Sequence, residues 1–470
     1  MSEIYESPLS GRYASRELLG LFSAKNRHVI WRRLWTELAR AQQQLGLPVT
    51  AAQVAELEVH QQDIDYDLIA AKEREIRHDV MAHIYGYGQA APGARGIIHL
   101  GATSCYVTDN ADLILFRDAC LFIRKEIWAV VENLSRFAET YQALPTLGYT
   151  HFQPAQLVTV GKRACLWIQD LLADVRELDY VLSEIQFLGC RGTTGTEASF
   201  IELFDGDSAK IDEMNRRIAA AFGFQKTFPV CGQTYPRKLD SLILNALSSI
   251  CQSAYKFGND LRLLQHLRQI EEPHEAEQVG SSAMAYKRNP MRSERLCSLA
   301  RFVMVNALNA PLTASTQWFE RTLDDSANRR ITLPEGFLAT DAVLRLMRNI
   351  TAGLVVNEKV IARAVEQYLP FVATENLLMA SVEKGGDRQV SHEIIRGHSL
   401  TVADRMKDGE PCDLLERLAA DEHFNLDADE MTNVLNPADY IGRSPEQVKQ
   451  FLASFTIPAD IQLTEDRITL

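Results

Sequence analysis

One stretch near the middle of the chain constrains its fold more than any other. Between about Asp109 and Leu144, apolar side chains recur every three or four residues, and Pro145 ends the pattern. A helix this long exceeds the usual length in globular proteins and needs other long helices against its apolar stripe. The sequence therefore predicts a helical bundle around a stripe formed by Leu113, Phe116, Cys120, Ile123, Ile127, Val131, Leu134, Phe137 and Tyr141.

Other stretches repeat the same helical periodicity, and no segment shows sustained strand-type alternation. The predicted helices run from about 18 to 45, 154 to 188, 236 to 269, 290 to 312 and 336 to 354. After about residue 357 the segments become shorter and more acidic. We predict an all-α fold with three parts: an N-terminal helical domain over 1–103, a central long-helix bundle over 104–356 and a C-terminal helical domain over 357–470.

Composition narrows the class of protein. A formal net charge of −13 argues against bulk nucleic-acid binding, which favours basic surfaces. The eight cysteines are scattered without a C-x-x-C pair, several within apolar stretches, which predicts buried thiols in a reducing compartment. The first residues lack the basic and apolar segments of a signal peptide, and no run of about 18 apolar residues stands out. We expect a cytoplasmic protein that binds neither nucleic acid nor membrane.

The polar segment with the strongest functional signal is 279–294, VGSSAMAYKRNPMRSE. Glycine, serine and alanine leave its first half conformationally free, and Lys287 and Asn289 precede Pro290. Because proline is favoured at the first position of a helix, the segment predicts a mobile loop leading into a helix that carries Glu294. An ordinary surface loop fits the composition about as well, but the lysine and asparagine beside two serines favour a catalytic loop.

Two more polar clusters are predicted at helix ends. Arg77, His78 and Asp79 are consecutive, so they cannot share one helix face and should lie at a helix junction or end. Thr103 and Ser104 precede the long helix, where a hydroxyl commonly caps the first turn. Capping accounts for one hydroxyl but not for the whole polar segment around them.

His78 and His83 do not have the spacing of a zinc site. The two histidines are five residues apart instead of the four of an H-E-x-x-H helix, and no thiol pair lies nearby in the sequence. We therefore predict no metal and no other cofactor.

Two further segments carry candidate functional groups. His151 lies just before Pro154, and the sequence predicts that Pro154 begins a helix whose positive dipole end would disfavour imidazolium and favour anions. Segment 318–330, WFERTLDDSANRR, is predicted to be a loop, and a solvated charged face is its ordinary interpretation. The density of arginine beside serine instead suits anion binding by four residues, Arg321, Ser326, Arg329 and Arg330.

Taken together, these motifs resemble those of the fumarase/aspartase superfamily. GSSAMAYKRNP resembles its signature loop, with Ala285 in place of the usual proline. The segments SGRYAS, RHDVMAH, GATSCYVTDN, TLGYTHFQPAQ, GQTYPRK and ERTLDDSANRR follow the order found in the superfamily's lyases that act on succinylated purine nucleotides, and they span most of the chain. The resemblance implies a three-domain, all-α fold whose long helices form the core of a homotetramer, with active sites that combine three subunits.

The resemblance also implies an activity. These lyases eliminate fumarate from adenylosuccinate, giving AMP, and from succinylaminoimidazole carboxamide ribotide (SAICAR), giving AICAR. Elimination needs a base that removes a proton beside a carboxylate and an acid that protonates the departing nitrogen. By resemblance Ser281 is the base and His151 the acid. Lys287 would activate the serine, Glu294 would orient a histidine, and His78 would hold the phosphate or succinyl end.

The same motif matches imply a substrate-binding set. A substrate with one phosphate and two carboxylates requires a local cationic pocket even in an acidic protein. The matched positions are Arg12, Tyr13, Arg77, His78, Asp79, Thr103, Ser104, Gln233, Asn289, Arg295, Arg321, Ser326 and Arg330.

Two alternatives remain open at this stage. Argininosuccinate lyase and fumarase use the same signature loop, although the arginines and serine of 321–330 favour a phosphorylated substrate. A non-catalytic helical homologue would keep the fold without the acid and the base, and both candidates, His151 and Ser281, are present here.

Overall fold

The computed structural model describes residues 4–275, 283–284, 286–459 and 461. Ser281 and Ala285, which belong to the predicted catalytic loop, lie outside the described residues. Helices dominate the described part, accompanied by two short two-stranded sheets. The predicted all-α fold class is therefore confirmed.

The N-terminal region consists of short and medium helices. A π-helical turn, Leu9–Tyr13, comes first, and a 3₁₀ turn, Arg95–Ile97, comes last. Between them lie α1 Arg16–Leu21, α2 Ala24–Gln44, α3 Ala51–Val59, α4 Tyr66–Ile76 and α5 Asp79–Ala90.

The central region contains the long helices and both small sheets. Strands β1 and β2 pair antiparallel, as do β3 and β4. In chain order the elements are α6 Ser104–Thr140, β1 Pro145–Thr150, β2 Gln153–Thr159, α7 Val160–Glu184, α8 Ala198–Leu203, α9 Ser208–Ala221, α10 Lys238–His266, β3 Ile270–Glu271, α11 Met291–Asn306, α12 Asn309–Ser315, α13 Asp325–Ala352 and β4 Val355–Val356.

The C-terminal region returns to shorter helices. It includes a 3₁₀ turn, Pro437–Tyr440, just before the last helix. Its helices are α14 Glu358–Val372, α15 Thr374–Glu383, α16 Arg388–Lys407, α17 Leu414–Ala419, α18 Ala428–Asn433 and α19 Ser444–Leu452.

Helix α6 forms the axis of the central bundle. Its 37 residues correspond to about 55 Å, and the predicted apolar stripe from Leu113 to Phe137 is buried along its length. Helix α13 runs parallel to it, because Asp112 pairs with Arg329 and Asn133 Nδ2 donates to the carbonyl of Arg348. One predicted long helix thus organises the others, as the sequence pattern indicates.

Helices α11 and α13 run antiparallel. Arg292 Nη1 donates to Asn349 Oδ1 at 2.6 Å, and 14 residues later Asn306 Nδ2 donates to the carbonyl of Thr332 at 2.7 Å. The start of α11, which follows the predicted catalytic loop, therefore lies beside the last turns of α13. The start of α13 lies at the opposite end of this pair.

Some of the predicted helix bounds are wrong. The helix predicted from about 18 to 45 is divided, because Ser23 caps a new helix by accepting from the N–H of Asn26. Helix α13 begins at Asp325, eleven residues before the predicted start near 336, and retains Pro334 in its interior. Proline costs a helix one backbone hydrogen bond, but the packing of α13 against its neighbours outweighs that local preference.

The segment around His151 also differs from the prediction. Pro154 does not start a helix; it lies in β2 and pairs with Tyr149 of β1. Helix α7 begins at Val160, where Thr159 Oγ1 accepts from the N–H of Lys162. Proline is tolerated here because a two-stranded hairpin leaves an edge that needs no donor.

Buried apolar side chains form two clusters. The larger one runs through the N-terminal and central regions and includes Leu369 and Val448 of the C-terminal region. The smaller one lies entirely within 377–431 and contains Val402 and Met431. All eight cysteines are free thiols, and six of them are buried.

One stretch of the described residues combines the length and composition of a membrane-spanning segment. It is Met291–Ser315, which comprises α11 and α12, and 44% of its most apolar window is buried inside the structure. A single such stretch is weak evidence for a membrane span, since helices in the core of a soluble protein pass the same test.

Candidate active site

Several predicted site residues meet where α4, α5 and α6 come together; we call this the junction cluster. Arg77 ends α4 in the left-handed conformation, His78 precedes α5, and Asp79 is the first residue of α5. The expectation that this triplet lies at a helix junction is confirmed. Ser104, the first residue of α6, places its Oγ 3.4 Å from His78 Nε2, and Arg330 Nη2 lies 3.4 Å from Asp79 Oδ2.

Gln233 and Arg321 belong to the same cluster. Cys105, the neighbour of Ser104, donates its thiol to Gln233 Oε1 at 3.4 Å, and Gln233 Nε2 donates to the carbonyl of Thr193. The backbone N–H of Gln233 donates to the carbonyl of Glu320, directly before Arg321. This approach requires glycine at 232, because a Cβ there would lie 2.5 Å from the Glu320 carbonyl oxygen.

Thr103 and Ser326 complete the junction cluster with hydroxyl groups. Thr103 occupies the residue before α6, but its side chain makes no capping hydrogen bond there, so the predicted capping role is wrong for this residue. Ser326 lies in the first turn of α13, four residues before Arg330. Residues four apart on a helix lie on the same face, so both side chains flank the junction.

His99 lies beside the junction cluster, although the sequence did not single it out as a site residue. Its backbone has φ of 71°, and its Nδ1 accepts from Trp35 Nε1 at 2.9 Å. Burial, reinforced by the neighbouring His78, lowers the pKa of His99 to about 4. Since the indole can only donate, the imidazole is neutral and carries its proton on Nε2.

Arg12, Tyr13 and Arg295 form a second group, the entry cluster. The guanidinium carbons of Arg12 and Arg295 lie 5.8 Å and 5.7 Å from the centre of the Tyr13 ring. Arg345 anchors this turn by donating to the Tyr13 carbonyl at 2.7 Å. Two cations thus share one aromatic ring, leaving a positively charged surface that suits an anion.

The base of the predicted catalytic loop adjoins the entry cluster. Lys287 and Asn289 lie just before α11, and Glu294 lies in its first turn, next to Arg295. The buried carboxylate of Glu272 ties the two ends of this loop together. It accepts from the backbone N–H of Arg292 at 3.0 Å and from both the N–H and hydroxyl of Ser293 at 2.9 Å and 2.8 Å. Glu272 therefore caps α11, a role that sequence motifs did not indicate.

His151 lies at the tip of the β1–β2 hairpin, in a two-residue turn with Phe152. Both residues have positive φ, 53° and 57°, which is the backbone of a type I′ turn normally built from asparagine and glycine. The predicted helix-dipole effect on His151 is wrong, because α7 begins nine residues later. His151 is solvent-exposed, and Phe152 retains 53% of its surface.

Segment 318–330 is not the continuous loop that the sequence predicts. Its last six residues belong to α13, and Arg329 is buried against Asp240 and Asp112. Arg329 therefore cannot bind a ligand anion, whereas Arg330 is exposed and Arg321 partly so. Among the described residues, no group of three or more His, Cys, Asp or Glu side chains is arranged to hold a metal ion.

Within one chain the three groups lie far apart. Arg330 of the junction cluster and Arg345, which anchors the entry cluster, are 15 residues apart on α13, or about 22 Å. The hairpin follows the end of α6, whereas Ser104 is its first residue, about 55 Å away along the axis. The bundle thus displays three polar groups at separate levels.

Comparisons with known proteins agree with this architecture. Two solved structures resemble it over almost the whole chain. A fumarate lyase from Mesorhizobium sp. BNC1 has a TM-score of 0.80 and 20% identity, and the match covers 96% of this chain and 100% of that chain. A 3-carboxy-cis,cis-muconate lactonizing enzyme from Pseudomonas putida has a TM-score of 0.81 and 21% identity, and the match covers 95% of this chain and 98% of that chain. Because the sequence identities are only 20% and 21%, these structural similarities establish the fold and nothing further. A family model described as lyase matches residues 19–305, more than half of the chain, and the protein is therefore a lyase of that family.

The particular branch follows from closer relatives. A model described as adenylosuccinate lyase C-terminus matches residues 370–451. The adenylosuccinate lyase of Saccharomyces cerevisiae is 50% identical over 452 residues, covering 95% of this chain and 94% of the yeast protein. That of Schizosaccharomyces pombe is 48% identical, covering 99% and 98%. The chain belongs to the adenylosuccinate lyase family, and the resemblance noted from its motifs is confirmed.

Proposed function

We propose that the protein eliminates fumarate from adenylosuccinate, giving AMP, and from SAICAR, giving AICAR. Both reactions remove a proton from the succinyl carbon beside a carboxylate, break the bond between the neighbouring carbon and nitrogen, and return a proton to that nitrogen. The observation that carries the proposal is the pair of arginine-containing clusters, one at the junction and one at the entry turn. A phosphate and two carboxylates on one substrate need separate cationic contacts of this kind.

Ser281 is the proposed base and His151 the proposed acid. Because a serine hydroxyl is a weak base, its alkoxide needs stabilisation, which we assign to Lys287 and to backbone N–H groups of the loop. Asn289 would hold the succinyl carboxylate on which negative charge builds. Glu294 lies in the first turn of α11, which follows these residues, and would orient a histidine. Glu272 supports this arrangement by fixing the end of the loop to α11.

The backbone of the hairpin tip supports a functional role for His151. Positive φ at two consecutive non-glycine residues costs on the order of 1–3 kcal/mol each and persists only where the surroundings impose it. A turn without a function would favour asparagine and glycine at these positions. We infer that this backbone aims the imidazole outward, toward a site completed by other subunits.

The junction cluster is the proposed binding site for part of the nucleotide. His78 and Ser104 supply hydrogen-bonding groups, and Arg321 and Arg330 supply positive charge within the same group of side chains. The remaining matched positions there contribute to the same surface: Arg77, Asp79, Thr103, Gln233 and Ser326. The entry cluster of Arg12, Tyr13 and Arg295 would bind another anionic group of the substrate.

We propose a homotetramer in which each active site combines three subunits. The separation of the three polar groups supports this assembly, because one chain cannot close them around a single small substrate. Apolar side chains on α11 and α12 also face solvent, including Val305 at 67% and Leu312 at 69% exposure. An apolar surface of this kind favours burial against another copy of the chain.

We also propose a division of the chain into three domains. Residues 1–103 would form an N-terminal domain that supplies Arg12 and Tyr13 of the entry cluster and the Arg77–Asp79 segment of the junction cluster. Residues 104–356 would form the central bundle of the tetramer, and 357–470 a C-terminal domain with the separate cluster in 377–431. We expect a cytoplasmic enzyme without metal, nucleic acid or membrane partners.

The activity can be tested directly with purified protein. Adenylosuccinate should be converted to equal amounts of AMP and fumarate, followed by ultraviolet absorbance and identified by chromatography. Conversion of argininosuccinate or malate instead would move the assignment to another branch of the superfamily. The Ser281→Ala variant should lose turnover while still binding substrate, and full activity in that variant would rule out Ser281 as the base.

A further inference from the structure

The structure contains a buried carboxylate directly behind Arg321. Asp325 is the first residue of α13, and only 1% of its side chain is exposed. Its Oδ1 accepts from Arg321 Nη1 at 2.8 Å, and its Oδ2 accepts from Arg237 Nε at 2.6 Å. One carboxylate therefore connects a buried arginine to an arginine whose side chain is 24% exposed.

Arg237 is itself fixed from several directions. Its guanidinium donates to both oxygens of Asp109, with distances of 2.9 Å and 3.4 Å, and lies 4.4 Å from the centre of the Tyr235 ring. Burial alone would raise the pKa of Asp325, but Arg237 and Arg321 outweigh it and lower that pKa. Asp325 thus remains an anion held in one place by a rigid, buried partner.

The contacts of Arg321 leave one edge of its guanidinium available. Nη1 donates to Asp325 and to the carbonyl of Thr322. Within the described part of the chain, Nε and Nη2 make no hydrogen bond or ion pair. These two nitrogens form the side-on fork that matches two oxygens of a carboxylate or phosphate.

We propose that Asp325 is a positioning residue for the lyase reaction. Anchored by Arg237, it holds Arg321 through Nη1 and so presents the Nε–Nη2 fork to an anionic group of the substrate. The inference rests on the proposed function, since it takes Arg321 to be a substrate ligand. The sequence spacing is consistent with this role, because Asp325 lies four residues after Arg321 and four before Arg329.

A double-mutant cycle tests the inference. Asp325→Asn keeps the shape and one acceptor but removes the charge that holds Arg321. We expect KM for adenylosuccinate to rise by roughly tenfold with kcat changed less than about twofold, the behaviour of lost ground-state binding. In an Arg321→Ala background the same change should leave KM unaltered, because Asp325 would have no arginine to position. An equal rise in KM in both backgrounds would overturn the inference.

Asp324 provides the matched control. It precedes Asp325 but is exposed, and it accepts from Thr316 Oγ1 at 2.9 Å instead of from an arginine. Asp324→Asn should leave both KM and kcat unchanged, and a tenfold rise there would attribute the effect to general loss of negative charge. Thermal unfolding and sedimentation of each variant verify that the fold and assembly are retained.

Two further outcomes keep this test separate from the test of activity. An unchanged KM in Arg321→Ala alone would remove Arg321 from the substrate site and overturn the inference, while conversion of adenylosuccinate would still support the proposed function. If Asp325→Asn does not fold, Asp325→Glu retains the charge beside Arg237 and shifts the carboxylate. It should raise KM in the wild-type background only, and a rise in both backgrounds would overturn the inference.

Discussion

Helices α6 and α13 form ion pairs with each other at two levels along their length. The levels differ in how completely arginine side chains neutralise the buried carboxylates. At the first level Asp112 pairs with Arg329 at 3.1 Å and also with Arg27. At the second level Glu126 pairs with Arg348 at 3.1 Å, but its Oε2 and Asp341 Oδ1 have no hydrogen-bond partner among the described residues. Burial is similar at both levels, so the arrangement of arginines makes the difference.

The pKa directions follow this difference. Burial opposes the ionisation of Asp112, but Arg27 and Arg329 outweigh it and lower its pKa. Burial and the neighbouring Asp341 together raise the pKa of Glu126 to about 8, despite Arg348. The same pair of helices thus contains a charged, structural level near the junction cluster and a proton-binding level near the entry turn. A buried carboxylate needs well-placed cations, since location in the bundle alone does not keep it ionised.

The largest expected effect is at the first level. Arg329→Met removes the cation shared by Asp112 and Asp240 while conserving most of the side-chain volume. Breaking a buried ion pair from one side leaves uncompensated charge, so we expect a loss of about 3–5 kcal/mol in the free energy of unfolding. Denaturant unfolding at a fixed protein concentration measures it. A loss below 1 kcal/mol would mean that the carboxylates at the first level do not depend on Arg329 for their charge.

A smaller, pH-dependent effect is expected at the second level. The raised pKa of Glu126 means that the folded protein binds a proton more tightly than the unfolded chain. This contribution is complete below the ordinary glutamate pKa and is lost as pH rises to about 8. Glu126→Gln should remove that loss, so the variant should gain on the order of 2 kcal/mol relative to wild type between pH 6 and pH 9.

Glu132 supplies the control for the pH measurement. It lies on the same helix but is partly exposed and pairs with Arg136 at 3.6 Å. Glu132→Gln should leave the pH dependence of the unfolding midpoint unchanged. If the stability of Glu126→Gln changes with pH in the same way as that of wild type, Glu126 does not bind a proton in this range. The proposed difference between the two levels would then be wrong.

The smallest effect is expected outside the bundle interior. Arg124→Met makes the same substitution as Arg329→Met at a surface pair, where Arg124 Nε lies 2.6 Å from Asp179 Oδ1. Water compensates both groups, so the free energy of unfolding should change by less than about 1 kcal/mol. A loss comparable to that of Arg329→Met would attribute both to the removal of arginine itself, independent of burial.

Much of the helical framework was predictable because helix periodicity is a local property of the sequence. Helices α6 and α10 lie close to their predicted bounds, and the consecutive Arg77, His78 and Asp79 could only mark a junction. Where prediction failed, polar or helix-breaking residues dominated the segment. The start of α13 is rich in Asp, Ser and Asn, which have low helix propensity, yet its Asp325 and Arg329 are bound to buried partners.

The site residues divide in the same way. Motifs identified most of the polar groups, including His151, but they placed it at a helix start instead of in a hairpin turn with positive φ. They also missed Glu272 and Asp325, because both carboxylates contact other parts of the protein and neither belongs to the motif positions matched to substrate. The contacts that reveal such supporting residues are mainly with chain segments that are distant in sequence.

By itself, the sequence determined the all-α class, the family and the chemical groups available for catalysis, since each depends on local periodicity or short motifs. Only the tertiary structure decided which groups meet, which arginines are buried and which remain available to a ligand. Arg329 and Arg330 are neighbours in the sequence, yet one is enclosed by carboxylates and the other faces solvent. Adjacent residues on a helix point in different directions, and the elements packed around that helix determine the environment of each.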